Sequence, residues 1–167
     1  MAFVLKVEGK YSDVPGDHGG ATNYGVTQAV YDAYCIGNHQ GPRPVREITH
    51  DEIVEIYRVG YWNPTQCRVL PPALALCVFD AAVLHGPKRA AMMLQECVGT
   101  VPDGSIGPKT LAELMTLSLR QVVVRYLSIR YNVLMSLSRK PQQEQFRQGW
   151  INRLLALKRK SIEILDR

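Results

Sequence analysis

From Leu119 onward, apolar residues recur at 122, 123, 126, 127, 133, 134 and 137. That is the spacing of one face of an α-helix. It predicts a long amphipathic helix whose stripe must be buried against other elements. Arg130 falls on the same stripe. A guanidinium on a core-facing line either keeps its stem buried and its head in water or pairs with an interior carboxylate.

The rest of the chain is punctuated in the same helical manner. Residues 2 to 8 read as a short helix, and 9 to 25 as a loop or small hairpin. Thr27 is an N-cap for a helix running through Tyr34. Gly37, Gly41, Pro42 and Pro44 break the chain again. Thr49-His50-Asp51-Glu52 spells a capping box and opens a helix through about Tyr61. Pro71-Pro72 starts the next, which stops at Gly86-Pro87. A further helix runs from about Lys88 to Val98 and ends at Gly99. Pro108 restarts one to about Met115, and the last extends from about Pro141 to Leu165. No strand longer than a hairpin arm and no repeat is visible. The expected fold is mainly α, with a small loop or hairpin region near the N-terminus. Lacking a clean linker, the 167 residues are expected to form a single compact domain.

A hydrophobic fraction of 46% places the chain among globular proteins. No apolar run approaches the roughly 20 residues of a membrane helix. The first residues are too soon charged for a signal peptide. The expectation is a monomer made in the cytoplasm, with no stable membrane insertion. Cys35, Cys67, Cys77 and Cys97 are scattered, without metal-binding spacing. They are expected to be reduced and packed, and no metal or cofactor is expected. Residues 118 to 167 carry eleven Lys and Arg against three Asp and Glu, a surplus of eight, whereas residues 1 to 117 carry an acidic excess of three. This asymmetry suits an anionic polymer or lipid, and equally a solvated basic helix face.

The segment from Val7 to Gln28 is dense in Gly, Asp and Tyr. Three carboxylates, Glu8, Asp13 and Asp17, stand around it. Glycosidic bond cleavage needs a protonated carboxyl for the leaving oxygen and an ionised carboxylate to stabilise positive charge or activate water. Glu8 follows the apolar run Phe3-Val4-Leu5, and an apolar setting raises a carboxyl pKa. It is the candidate acid. Asp17, among Gly and polar residues, is the candidate stabiliser, and Thr22 a group to hold the attacking water. The plainer alternative makes Asp13 and Asp17 turn formers and Glu8 a solvated helix end. Calcium binding is a third reading, but the EF-hand spacing is absent.

The text Glu8-Gly9-Lys10-Tyr11, then Asp17-x-Gly19-Gly20-Ala21-Thr22-Asn23-x-Gly25-Val26-Thr27, resembles the signature of glycoside hydrolase family 108, lysozyme-like muramidases that are often phage endolysins. The resemblance implies a lysozyme-like helical fold with Glu8 as the catalytic residue. The interval from Glu8 to Asp17 and on to Thr22 also resembles that of phage-type lysozymes. Lys10 stands where the family usually has Gly, and a cation there lowers the pKa of a neighbouring acid.

Residues 61 to 111 resemble the predicted peptidoglycan-binding region that accompanies this family. The matching text is Tyr61-Trp62, Leu70-Pro71, Phe79-Asp80-x-Ala82-Val83-x-His85-Gly86, Leu94-Gln95, Gly99, Asp103-Gly104-x-Ile106-Gly107 and Thr110-Leu111. Phe146-x-x-Gly149-Trp150-x-Asn152-Arg153 fits the family's tail. On this basis the chain reads as a catalytic signature region over 1–60, a peptidoglycan-binding region over 61–137 and a basic C-terminal helix over 138–167. Asp80, on an otherwise apolar helix face, must be hydrogen bonded or reach a cleft, where it is a candidate to bind substrate. Tyr11, Tyr24 and Trp62 are candidates to stack on sugar rings, although core packing is the commoner fate of Trp. His85 reads as a capping or internally satisfied residue. Arg130 and Arg153 are candidates to hold a catalytic carboxylate in its ionised form.

The resulting expectation is a peptidoglycan hydrolase that cleaves between N-acetylmuramic acid and N-acetylglucosamine and serves as a phage or prophage endolysin. The rival is a non-catalytic wall-binding or secretion-accessory protein on the same fold. A nucleic-acid binder is the third reading, and nucleic acid is not the expected partner.

Overall fold

In a computed structural model of the chain, the structure describes residues 3–4, 11–12 and 21–167. Glu8, Asp13 and Asp17 lie outside the described residues, as does Lys10. The chain divides into two compact units, Met1–Val59 and Gly60–Arg167. The sequence shows no linker at this boundary because it falls inside a continuous helical turn.

The first unit contains an antiparallel hairpin, β1 (Thr22–Asn23) and β2 (Val26–Thr27), with Thr22 opposite Thr27 and Asn23 opposite Val26. Tyr24 and Gly25 turn it with φ of 48° and 75°. Two successive left-handed residues give the twist that closes a two-residue hairpin, and Gly25 takes its share without a Cβ penalty. The hairpin runs straight into α1 (Gln28–Gly37), whose first turn is capped by the Thr27 side chain. A 3-10 turn at Val45–Glu47 leads to α2 (His50–Tyr57). Here both halves of the expected capping box are formed: the Thr49 side chain accepts from Glu52 N–H, and the Glu52 side chain accepts from Thr49 N–H.

The α-helical winding expected to reach Tyr61 stops at Tyr57. A π-turn, Arg58–Trp62, continues from it through Gly60. Carbonyls freed at its end are taken by Thr65, whose hydroxyl donates to Tyr61 O at 2.6 Å.

In the second unit, α3 (Pro72–His85) is apolar on every face apart from Asp80 and the terminal His85. A helix of that kind must be enclosed, and α3 packs against α4 (Pro87–Val98), α6 (Leu119–Leu137) and α7 (Arg147–Leu165). Leu74, Val78 and Phe79 are fully buried, each contributing about 1.5–3 kcal/mol by leaving water. The short helix α5 (Pro108–Met115) packs on α4. Proline opens α3, α4 and α5 at the position where its missing N–H costs nothing.

The last helix begins at Arg147 rather than near Pro141. Gln142 has φ of +69°, a left-handed conformation that no α-helix continues through, and a 3-10 turn at Glu144–Phe146 follows. All four cysteines are free and buried, as their scattered spacing implies. Among the described residues no helix is long and apolar enough to cross a membrane. The architecture is the mainly helical one expected, with the small hairpin near its N-terminus.

Candidate functional site

Of the three catalytic candidates Glu8, Asp17 and Thr22, the structure describes Thr22. It sits in β1 between two backbone partners. Ser12 and Thr22 exchange hydrogen bonds, Ser12 N to Thr22 O at 2.9 Å and Thr22 N to Ser12 O at 2.8 Å, and on its other edge Thr22 faces Thr27. A ladder on both sides fixes the backbone and leaves the side chain half-buried. Tyr11 and Tyr24, the two sugar-stacking candidates in this unit, are 46% and 36% exposed.

The support beneath the hairpin is polar. Buried Asn23 donates through Nδ2 to Val45 O at 3.3 Å. Gln28 donates to Arg43 O at 2.8 Å and accepts from Val45 N–H at 2.7 Å. Tyr57 donates its hydroxyl to Tyr24 O at 2.8 Å, tying α2 to the hairpin turn. Sequence reasoning missed this scaffold, because each contact joins residues that look like ordinary loop or helix positions.

Glu52 has a second role that its capping-box spelling does not disclose. Its carboxylate also accepts from Tyr31 Oη at 3.0 Å and pairs with Arg43. Burial pushes the Glu52 carboxyl up. The hydrogen bonds from Thr49, Arg43 and Tyr31 pull it further the other way, so it ends below the usual carboxylate range. Tyr31 is raised, by burial first and by the Glu52 carboxylate beside it.

In the second unit, Asp80 is fully buried and two guanidiniums converge on it. Arg130, 1% exposed, places Nη2 at 2.6 Å from Oδ2. Arg153 donates through Nε to Oδ1 at 3.0 Å and to Oδ2 at 3.3 Å. α3 thus supplies the carboxylate, and α6 and α7 each supply a cation. The expectation that Asp80 touches substrate is corrected here. A carboxylate with no exposed surface and both oxygens engaged is a framework group, and enclosing it uncompensated would be costly. The two arginines expected to steady a catalytic carboxylate both meet Asp80. The buried alternative for Arg130 is the one realised.

Trp62 is half-buried and meets the Phe79 ring edge-on, with centroids 5.4 Å apart and planes at 74°. It packs on the central helix, the commoner fate of a Trp. His85 stands in the last turn of α3, and its Nε2 is buried without a hydrogen-bond partner among the described residues. Burial, helped by the nearby charges of Arg130 and Arg89, pushes its pKa down to about 4, so the ring is neutral at neutral pH.

Gln95, buried in α4, organises the Asp103–Ser105 turn. It donates to Asp103 Oδ1 at 2.7 Å and Ser105 O at 3.0 Å, and accepts from Gly104 N–H at 2.8 Å. Gly104 has φ of +86°, and a Cβ there would lie 2.6 Å from Lys88 Cγ, so this turn demands glycine. Among the described residues no group of His, Cys, Asp and Glu is arranged to hold a metal ion.

Residues 1–86 match the glycosyl hydrolase 108 family model, just over half of the chain, and residues 89–155 match that of a predicted peptidoglycan domain. The chain belongs to the glycosyl hydrolase 108 family. It is a glycoside hydrolase of the muramidase type, and peptidoglycan is its partner. The hydrolase match runs to residue 86, so the Tyr61–Gly86 text lies within it rather than within the peptidoglycan match. Among solved structures, Brucella abortus SagA is similar at 32% identity with a TM-score of 0.82, over 98% of this chain and 92% of that one. A search of curated proteins finds no match.

Proposed function

We propose that the chain hydrolyses the β-1,4 bond between N-acetylmuramic acid and N-acetylglucosamine, with Glu8 as general acid. The observation that carries this reading is the placement of the Glu8-to-Thr22 signature inside the hydrolase match, with a peptidoglycan domain following it. Glu8 protonates the glycosidic oxygen as the bond breaks. Ionised Asp17 stabilises the positive charge that develops on the sugar, or activates water with Thr22 holding it. Tyr11 and Tyr24 offer exposed ring faces to the sugars. The protein works as a monomer and needs no cofactor.

The biological role that suits the signature is a phage or prophage endolysin, made in the cytoplasm and acting on the wall once access is given. The basic surplus of residues 118–167 favours an anionic wall.

A turbidity assay on purified sacculi, comparing wild type with Glu8→Gln, tests the chemistry. Wild type is expected to clear the suspension and Glu8→Gln to lose at least about a hundredfold in rate, the usual worth of a positioned acid. Equal clearing by both removes Glu8 from the mechanism. Binding without clearing by wild type leaves the wall-binding accessory reading.

A further inference from the structure

The peptidoglycan match encloses a cleft where α6 hands over to α7. Its volume is about 640 Å³, and it is open to solvent. Tyr131 and Asn132 line it from α6, Arg139 and Lys140 from the connection, and Arg147 from the first position of α7. Gln142, left-handed at φ of +69°, lies in the connection and also lines the cleft. Glu144 is the acid in the lining. Elsewhere on the chain Arg58 has Glu55 beside it, Arg120 has Asp166 and Lys160 has Glu163. Arg139, Lys140 and Arg147 have no ion-pair partner among the described residues.

A sugar strand does not call for such a cleft. In peptidoglycan the N-acetyl groups are neutral, and the lactyl carboxyl of muramic acid is consumed in the amide to the peptide. The negative charge resides on free carboxylates of the peptide stem. Guanidinium forks match a carboxylate in geometry as well as charge, and Asn132 offers an amide to a peptide backbone.

We propose that this cleft binds the carboxylates of the peptide stem, with Arg139, Lys140 and Arg147 as their partners. The inference rests on the reading of the chain as a peptidoglycan hydrolase and names a subsite apart from the proposed catalytic signature. An apolar groove lined by Leu127, Leu154 and Leu155 shares Tyr131 and Asn132 with the cleft, so an anionic lipid is the competitor to exclude.

The test uses the full chain and two soluble probes, a disaccharide-tripeptide and the same disaccharide without peptide, its lactyl carboxyl capped as a neutral amide. Calorimetry is expected to show the tripeptide form binding about tenfold or more tightly, a preference worth about 1.4 kcal/mol that weakens as salt is added. The triple variant Arg139→Ala/Lys140→Ala/Arg147→Ala is expected to lose that preference yet cleave peptide-stripped glycan strands at the wild-type rate. Arg139→Gln alone, a milder change, is expected to lose part of it. Equal affinity for both probes in wild type, or an unchanged preference in the triple variant, overturns the proposal. So does a triple variant that loses only its attachment to phosphatidylcholine vesicles containing phosphatidylglycerol. If wild type cleaves no glycan but prefers the tripeptide probe, the hydrolytic reading fails and the cleft stands.

Discussion

Asp80 is the carboxylate on which two guanidiniums of the second unit converge. It neutralises one buried guanidinium and one nearly buried one, from two different helices. Asp80→Asn is therefore expected to destabilise by about 3–5 kcal/mol, since it strands Arg130 as an uncompensated interior charge. Arg130→Met should cost a similar amount by stranding the carboxylate. The double variant Asp80→Leu/Arg130→Met should recover much of the loss, because both charges leave together. Urea titrations of the three variants measure this, and a double variant as unstable as the sum of the singles refutes the coupling. Both residues were conspicuous in the sequence, Arg130 on an apolar stripe and Asp80 on an apolar helix. That they meet each other was not legible. They lie fifty residues apart, and the pairing depends on where α6 and α7 cross α3. Thr22 and the two exposed tyrosines were legible as a group only through the signature they share.

Helix starts were written locally, and all but that of α7 came out where the local chemistry put them. Proline at the first position, Thr27 as a side-chain cap and the Thr49–Glu52 box each act over three or four residues. Helix ends that depend on packing or on an unusual φ were not visible. The π-turn after Tyr57 and the delayed start of α7 at Arg147 are of that kind. Thr49→Ala tests the capping box. It is expected to cost about 1 kcal/mol in a urea melt, with an added contribution because Glu52 would lose one of the bonds that hold it toward Tyr31 and Arg43. A melt indistinguishable from wild type removes the box from the stability of α2.

At the level of the whole chain, the compact units and the sequence families divide the protein differently. The structural boundary falls between Val59 and Gly60, while the hydrolase match continues through α3 to residue 86. The catalytic signature thus belongs to the first unit, and the Asp80 helix, though part of the same family text, belongs to the second. Charge does not distinguish the two divisions, because residues 60–86 carry one cation, Arg68, and one acid, Asp80, and the basic surplus belongs to α6, α7 and their connection. The four cysteines are distributed across that boundary too, with Cys35 in the first unit and Cys67, Cys77 and Cys97 in the second. Burial raises the last three to about 11, 12 and 11, so they are neutral thiols as well as enclosed ones. A thiol reagent should therefore react no faster than the fold opens, and rapid labelling of the native protein would contradict this enclosure. Mass spectrometry of the labelled chain then acts as an internal reporter: a gain of one adduct marks opening of the first unit, three mark the second, and four mark both.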